Sequence, residues 1–126
     1  MVAFIMSKGM VNRVIVGADR IVKDAVINKI GTFNLAIISK KFRIPFYVAA
    51  PISTFDISST SKRVKIEERD PTEVTHIGGK RITPEGVKVH NPAFDVTSLD
   101  YVEAIITEKG IIQSPDESKI ENLSHH

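Results

Sequence analysis

The sequence predicts an α/β fold built on a parallel β-sheet, and three observations point to this class. Three short apolar runs, at 13–17, 45–50 and 104–107, are typical of buried strands, and the first and third are rich in β-branched residues. A segment with helical spacing of its apolar residues, 28–42, lies between the first two runs. Strand, helix and strand joined by short connections form a βαβ unit, in which the strands are parallel and the crossover is right-handed.

Length and composition are those of an ordinary globular domain. The chain has 126 residues, of which 42% are apolar and 25% are charged, enough for one domain with a real core. The formal net charge of +2 comes from interleaved residues of both signs and favours no direct nucleic-acid partner. The absence of cysteine excludes disulfides, thiolate metal sites and cysteine nucleophiles within this chain. With no apolar run near about eighteen residues and no basic leader, we expect a cytoplasmic protein without a membrane partner.

The N-terminal residues 2–6 are apolar almost without interruption, and Ser7, Lys8 and Gly9 follow them. This pattern predicts the last turns of a buried helix, with Gly9 in the position just after its end. A domain seldom opens in this way, so one expectation is that the chain is a piece of a larger protein. The alternative is a short N-terminal helix that packs on the sheet.

The segment 28–42 is expected to form a helix that packs on the sheet through one apolar stripe. Ile30, Phe33 and Ile37 fall on one side of this helix. Asn28 stands at the position of an N-cap, the residue whose side chain accepts a hydrogen bond from a free backbone N–H group in the first turn of the helix.

The other segments are predicted to be loops, one short helix and a tail. The loops are 17–27, of mixed charge, and 52–92, which is rich in proline and includes small strands. A short helix is expected at 98–102. We assign residues 1–112 to one domain and 113–126 to a polar tail that is expected to fray. Three strands make about half of a doubly wound sheet, so we expect the rest from another chain or region.

The first candidate site follows the first strand, because ligands of parallel sheets bind beyond the carboxyl ends of the strands. Gly17 and Ala18 are small and let a ligand approach the backbone closely. Asp19 is expected to project there, where a carboxylate acts as a general acid or base or holds sugar hydroxyls. Arg20 is expected to act on this carboxylate or to pair elsewhere. The alternative is an Asp–Arg pair that only closes the loop or caps a helix.

The second candidate site lies at the N-terminus of the predicted helix. Free backbone N–H groups, the Lys29 ammonium group and the small Gly31 together make an anion site for a phosphate or a sugar hydroxyl. The alternative is an ordinary N-cap at Asn28 with a solvated lysine. His76 and His90 have no partner at metal-ligand spacing, so we expect no metal site.

Five motifs occur in order along the chain. They are GADRI at 17–21, NKIGTF at 28–33, PFYVAAP at 45–51, IEERDP at 66–71 and HNPAFDVT at 90–97. Together they resemble the family of methylthioribose-1-phosphate isomerases and the alpha, beta and delta subunits of translation initiation factor 2B. The last two motifs favour the isomerase branch. The resemblance covers roughly residues 3–112 and concerns only the C-terminal part of the family's proteins.

This resemblance implies a Rossmann-like α/β fold with a parallel sheet of three or more strands and flanking helices, usually in homodimers. It implies an aldose–ketose isomerase that converts methylthioribose 1-phosphate to methylthioribulose 1-phosphate in methionine salvage, without a cofactor. Asp19 matches the family's catalytic acid, and Asn28 and Lys29 match its substrate-binding pair. The candidate residues that line the pocket are Gly17, Ala18, Arg20 and Gly31.

The resemblance also implies that further catalytic groups lie upstream of the matched region, so the chain alone is expected to be inactive. Two other functions remain open. One is a regulatory subunit like those of initiation factor 2B, with initiation factor 2 as its partner and no catalysis. The other is an isomerase of the ribose-1,5-bisphosphate type. In each case we expect a homo-oligomer or a missing N-terminal half. A third possibility is a broken gene whose product merely folds, and its unfilled sheet edge is then expected to pair with another copy.

Overall fold

The computed structural model describes residues 1–125, which form two main β-sheets with helices against them. The helices are α1 (Val2–Ser7), α2 (Thr32–Lys41), α3 (Thr72–Thr75) and α4 (Glu117–Glu121). The strands are β1 (Val14–Val16), β2 (Arg20–Ile21), β3 (Ala25–Lys29), β4 (Phe46–Ala49), β5 (His76–Ile77), β6 (Lys80–Arg81), β7 (Phe94–Ser98), β8 (Ala104–Thr107) and β9 (Gly110–Gln113). A membrane crossing needs a longer and more apolar helix than any found within this described part.

The first sheet has the strand order β1-β4-β8-β9. β1, β4 and β8 run parallel, with Ile15 opposite Tyr47 and Val48 opposite Ile105. β9 returns antiparallel to β8 after a tight turn. The three predicted strands and the α/β class are therefore confirmed, and α2 lies in the connection between β1 and β4.

The second sheet, β2-β3-β7, is antiparallel and includes residues 20–21 and 25–27 of the segment 17–27. The prediction of a loop there was wrong, because β2 and β3 form a hairpin. Ala25, Val26 and Ile27 are consecutive and all buried, since β3 has protein packed on both of its faces. A strand buried on both faces lacks the alternating pattern by which a half-buried strand is recognised.

One apolar core fills the space between the two sheets. Val26 of β3, Phe46 and Val48 of β4, and Ile105 of β8 meet in this main core. A smaller cluster covers the opposite face of β3 and includes Ile27. Packing on both faces therefore fixes β3 relative to the parallel sheet.

Helix α2 begins later than the sequence predicts. Asn28 is not its N-cap, because the ladder between β3 and β7 continues as far as Lys29 and keeps the backbone at Asn28 extended. The N-cap is Gly31, whose positive φ of 105° turns the chain from the strand into the helix.

The face of α2 that packs on the sheets also differs from the predicted one. Ile30, Phe33 and Ile37 are 45%, 37% and 44% exposed, whereas Ala36 and Ser39 are fully buried. These small side chains allow the helix backbone to approach β4 and β7 closely. Leu35, which extends the predicted stripe, does pack against the main core. Apolar residues occur on several sides of this helix, so their spacing predicts the buried side only in part.

Helix α1 and the turn after it follow the prediction. Val2–Ser7 is helical, and Gly9 has a φ of 69° after the helix end. The expected burial was wrong, however, because Met6 is buried but Phe4 is 60% exposed. Ile15 on the edge strand β1 is 61% exposed as well. Apolar surface therefore remains on α1 and β1.

The C-terminal helix α4 packs on the domain, where the sequence predicts a frayed tail. Asp116 caps the helix by accepting a hydrogen bond from the Lys119 backbone N–H at 2.8 Å. Ile120 is fully buried in the main core. A five-residue helix with one apolar anchor is too short for its pattern to stand out in a sequence.

Replacing Ile120 by alanine should lower the free energy of unfolding by about 3 kcal/mol, because it opens a cavity in the main core. The matched control is Ile111→Ala, at a side chain that is 59% exposed. Its effect should stay below about 0.5 kcal/mol. Urea denaturation followed by circular dichroism measures both variants. Equal losses in the two variants would contradict the burial of Ile120 in the core.

Candidate functional site

The hairpin of β2 and β3 brings the first candidate site next to the second. Asp19 immediately precedes β2, and its backbone N–H donates to the Ile27 carbonyl at 2.9 Å. Arg20 lies opposite Ile27 in the ladder, so Asp19 lies beside Asn28. The two sites predicted at separate segments therefore form one site, just beyond the carboxyl end of β1.

The Thr32 side chain fixes the corner between β3 and α2. Its hydroxyl donates to the Lys29 carbonyl at 2.7 Å and accepts from Asn28 Nδ2 at 3.1 Å. The side-chain oxygen of Asn28 has no hydrogen bond to any other residue of 1–125, so it can accept one from a ligand hydroxyl. The sequence reasoning gave Thr32 no role, although a threonine four residues after an asparagine is a recognisable local signal.

A carboxylate of the protein itself occupies the N-terminus of α2. Asp95 of β7 lies opposite Asn28 and accepts from the backbone N–H groups of Gly31 at 2.7 Å and Phe33 at 3.0 Å. Two of the N–H groups that the predicted anion site would use at this helix end are therefore already taken by Asp95. Asp95 stands 64 positions from Gly31, and no local pattern signals this contact.

Arg20 does not pair with Asp19. Its Nε donates to Asp56 Oδ2 at 3.0 Å, and its Nη2 contacts the same oxygen. Hydrogen bonds from Ser58 and from Arg20 hold the pKa of Asp56 below its ordinary value. Arg20 therefore ties the hairpin to a neighbouring loop instead of lining the site.

The IEERDP and HNPAFDVT motifs lie against each other. The Arg69 backbone N–H donates to the Asn91 carbonyl at 2.8 Å, and the Asn91 backbone N–H donates to Glu68 Oε1 at 2.7 Å. Hydrogen bonds from Arg69 and Asn91 hold the pKa of Glu73 below its ordinary value. These contacts brace the chain just before β7 and so support the position of Asp95.

The backbone at the end of β1 leaves room for a ligand on one side. A Cβ added at Gly17 would have only the Ala49 carbonyl within 4.0 Å, so packing inside the protein does not require glycine there. Ala18 is half-buried and packs against the main core. The space beside Gly17 is therefore consistent with the predicted close approach of a ligand. Ala18 packs against the main core, which gives its small side chain a structural role.

The candidate site is an open surface in the part of the chain that the structure describes. Asp19 and Lys29 are exposed, and neither side chain has a hydrogen bond or ion pair with another residue of 1–125. A cavity of about 480 Å³ lies elsewhere, lined by residues that include Asp24, Tyr101 and Asp116. No group of three histidine or acidic side chains suited to a metal ion occurs among the described residues.

Three polar groups with different chemistry therefore lie at one corner of the fold. The Asp19 carboxylate can transfer a proton, the Asn28 amide can bind a hydroxyl, and the Lys29 ammonium group can bind an anion. This arrangement defines an α/β protein with a cluster of polar side chains beyond the end of a parallel strand, which is where such sheets bind ligands.

The chain belongs to the Initiation factor 2 subunit family, whose family model matches residues 1–114. The family resemblance predicted from the five motifs is therefore confirmed. Similar proteins include both methylthioribose-1-phosphate isomerases and an initiation factor 2B subunit, the two groups that the motifs resemble.

Among curated relatives, the methylthioribose-1-phosphate isomerase of Thermotoga maritima is 54% identical over 125 residues, and that of Acetivibrio thermocellus is 56% identical over 122 residues. These matches cover 98% and 95% of this chain but 36% of each relative, so the chain spans about a third of their length. One similar structure is the translation initiation factor eIF-2B subunit delta from A. fulgidus, with 53% identity and a TM-score of 0.89 over 97% of this chain and 37% of that chain. Another is the 5-methylthioribose 1-phosphate isomerase from Pyrococcus horikoshii, with 46% identity and a TM-score of 0.89. That match covers 98% of this chain and 35% of the Pyrococcus horikoshii chain.

The turn of the β2–β3 hairpin is held by Asp24. Its carboxylate accepts from both the backbone N–H and the hydroxyl of Ser61. Burial raises the pKa of Asp24, but the hydrogen bonds from Ser61 outweigh this effect and leave the pKa below its ordinary value of 3.8. The ionised carboxylate therefore stabilises the hairpin that aligns Asp19 with Asn28.

Replacing Asp24 by asparagine should lower the free energy of unfolding by about 1 kcal/mol near neutral pH, because it weakens these charged hydrogen bonds. A carboxylate with a lowered pKa in the folded state contributes stability above its ordinary pKa and loses it as the pH falls. The difference between wild type and variant should therefore shrink as the pH falls below 3.8. Urea denaturation at a series of pH values measures this, and a difference that stays constant to acid pH would contradict it.

Proposed function

We propose that the chain supplies the C-terminal part of an aldose–ketose isomerase that acts on methylthioribose 1-phosphate in methionine salvage. The observation that carries this proposal is the position of Asp19 beside Asn28 and Lys29 at one corner. Identities of 54% and 56% to relatives named for this substrate support the choice of sugar phosphate.

The proposed reaction needs one group that both gives and takes a proton. The anomeric oxygen of the substrate carries the phosphate, so the ring opens when the ring oxygen receives a proton and its bond to C1 breaks. Hydrogen then moves with its electron pair from C2 to C1, while the C2 hydroxyl loses its proton and becomes the ketone. Asp19 gives the first proton and takes the second, so no external oxidant or reductant is needed.

Asn28 and Lys29 bind the substrate in this proposal. The side-chain oxygen of Asn28 accepts a hydrogen bond from a sugar hydroxyl, and the Lys29 ammonium group binds the phosphate or a hydroxyl. Because Asp19 is exposed, we propose that a second copy of the chain or another region of a longer protein covers it. The free edge of β1 and the exposed Phe4 offer surface for such a contact.

The second candidate function is a regulatory subunit that uses the same fold without catalysis and binds initiation factor 2. The specific observations in its favour are the name of the matching family and the 53% identity to the A. fulgidus eIF-2B delta structure. The exposure of Asp19 also suits a protein that contacts a partner rather than one that shields a reaction from water.

A chimaera separates the two functions. This chain replaces the matching third of the Thermotoga maritima isomerase, and the product is assayed with methylthioribose 1-phosphate. We expect turnover, and we expect Asp19→Asn to lower kcat by at least about 100-fold, because the proton donor is lost. The matched control is Asp100→Asn, an exposed aspartate outside the site, which should keep both the rate and the thermal unfolding midpoint.

A folded chimaera without turnover, or an Asp19→Asn variant with full activity, would overturn the isomerase proposal. Capture of initiation factor 2 by the chain would then support the regulatory function. Turnover by the 126-residue chain alone would contradict the expectation that further catalytic groups are needed.

A further inference from the structure

We propose that Asp95 is a positioning residue that holds Asn28 and Lys29 in the geometry needed for ligand binding. The inference rests on the proposed function for the statement that Asn28 and Lys29 bind a ligand. The contacts by which Asp95 holds their backbone do not depend on that function. Asp95 contacts neither candidate ligand group through its side chain. It acts on the backbone that carries them.

Asp95 joins the two sides of the corner that presents the pair. Through the ladder, its backbone lies opposite Asn28 on the strand side. Its carboxylate accepts from the N–H groups of Gly31 at 2.7 Å and Phe33 at 3.0 Å on the helix side. Asn28, Lys29 and the turn after them are therefore enclosed between two sets of contacts made by one residue.

Two further hydrogen bonds close the same corner. The Ile30 backbone N–H donates to the Ala93 carbonyl at 3.2 Å, two residues before Asp95. The Thr32 hydroxyl donates to the Lys29 carbonyl at 2.7 Å. With the positive φ of Gly31, these contacts leave the backbone of Lys29 little freedom, although its side chain is exposed.

The charge of Asp95 suits this task better than a neutral cap. A carboxylate near the first turn is stabilised by the helix dipole and by two N–H donors at once. It also fills the place where a ligand anion would otherwise bind the helix amides, so an anion at this corner is directed to Lys29. Asp95 therefore determines both where the pair lies and which group remains available.

Three variants of the full 126-residue chain test the proposal. Asp95→Ala removes the acceptor, and Asp95→Asn keeps an oxygen in the same place. Asp116→Ala is the matched control, since it removes an aspartate cap from a different helix, α4, where the carboxylate accepts from the Lys119 backbone N–H. Amide hydrogen exchange and the NMR signals of the Asn28 side-chain amide report on the corner, and a titration with ribose 1-phosphate reports on binding.

We expect Asp95→Ala to speed exchange at Gly31 and Phe33 by about tenfold, to shift the Asn28 side-chain signals and to weaken ribose 1-phosphate binding by about fivefold. Asp95→Asn should change the exchange rates, the Asn28 signals and the binding much less than Asp95→Ala does. Asp116→Ala should leave all three at their wild-type values. Unchanged exchange and Asn28 signals in Asp95→Ala would overturn the proposal. If that variant does not fold, Asp95→Asn decides, because a neutral oxygen holds the two N–H groups less strongly than a carboxylate. Exchange at Gly31 and Phe33 that is faster than in the wild type supports the proposal, and exchange equal to the wild type overturns it.

The same experiment separates this proposal from the proposed function. Because this corner alone binds a sugar phosphate weakly, the titration extends to millimolar ribose 1-phosphate. Signals of Asn28 and Lys29 that stay unchanged in the wild-type chain at that concentration contradict a sugar-phosphate site at this corner. The comparison of amide exchange between Asp95→Ala and Asp116→Ala needs no ligand. It therefore tests whether Asp95 positions Asn28 and Lys29 even if the chain binds no sugar phosphate.

Discussion

Strand β3 is the constraint on which the rest of the structure depends. It pairs with β2 on one side and with β7 on the other, and Ala25, Val26 and Ile27 are buried against protein on both faces. A slip of one residue would exchange the two buried faces and move every side chain to the wrong layer. The register therefore fixes Asn28 and Lys29 at the point where the strand leaves the core.

The neighbours of β3 determine which acidic groups reach that point. Asp19 arrives from the β2 side and Asp95 from the β7 side, so two carboxylates approach the same corner from opposite directions. One stays exposed, and the other accepts two backbone hydrogen bonds from α2. Different surroundings therefore leave the Asp19 carboxylate available to a ligand or a partner and commit the Asp95 carboxylate to the backbone of α2.

The parallel strands and the candidate pair could be predicted from the sequence, whereas the contacts that assemble the site could not. β1, β4 and β8 are marked by short apolar runs, and Asp19 follows the first of them. The sequence predicts Asn28 and Lys29 at the start of a helix, although the structure places them at the end of β3. The hairpin gives no alternating signal because β3 is buried on both faces. The partners of Arg20 and Gly31 are 36 and 64 positions away, and local spacing carries no information about a register between distant strands.

The balance of charge limits what the corner can bind by itself. Lys29 brings one positive charge, Asp19 and Asp95 bring two negative ones, and the charge of Arg20 is directed at Asp56. A sugar phosphate carries about 1.5 to 2 negative charges at neutral pH, so this corner alone binds it weakly. Two of the N–H groups at this helix end, of the kind that bind phosphate in other proteins, already donate to Asp95. The proposed isomerase therefore needs further cationic groups, and they must come with the surface that covers Asp19. Substrate affinity and the exclusion of water from proton transfer would then depend on the same contact.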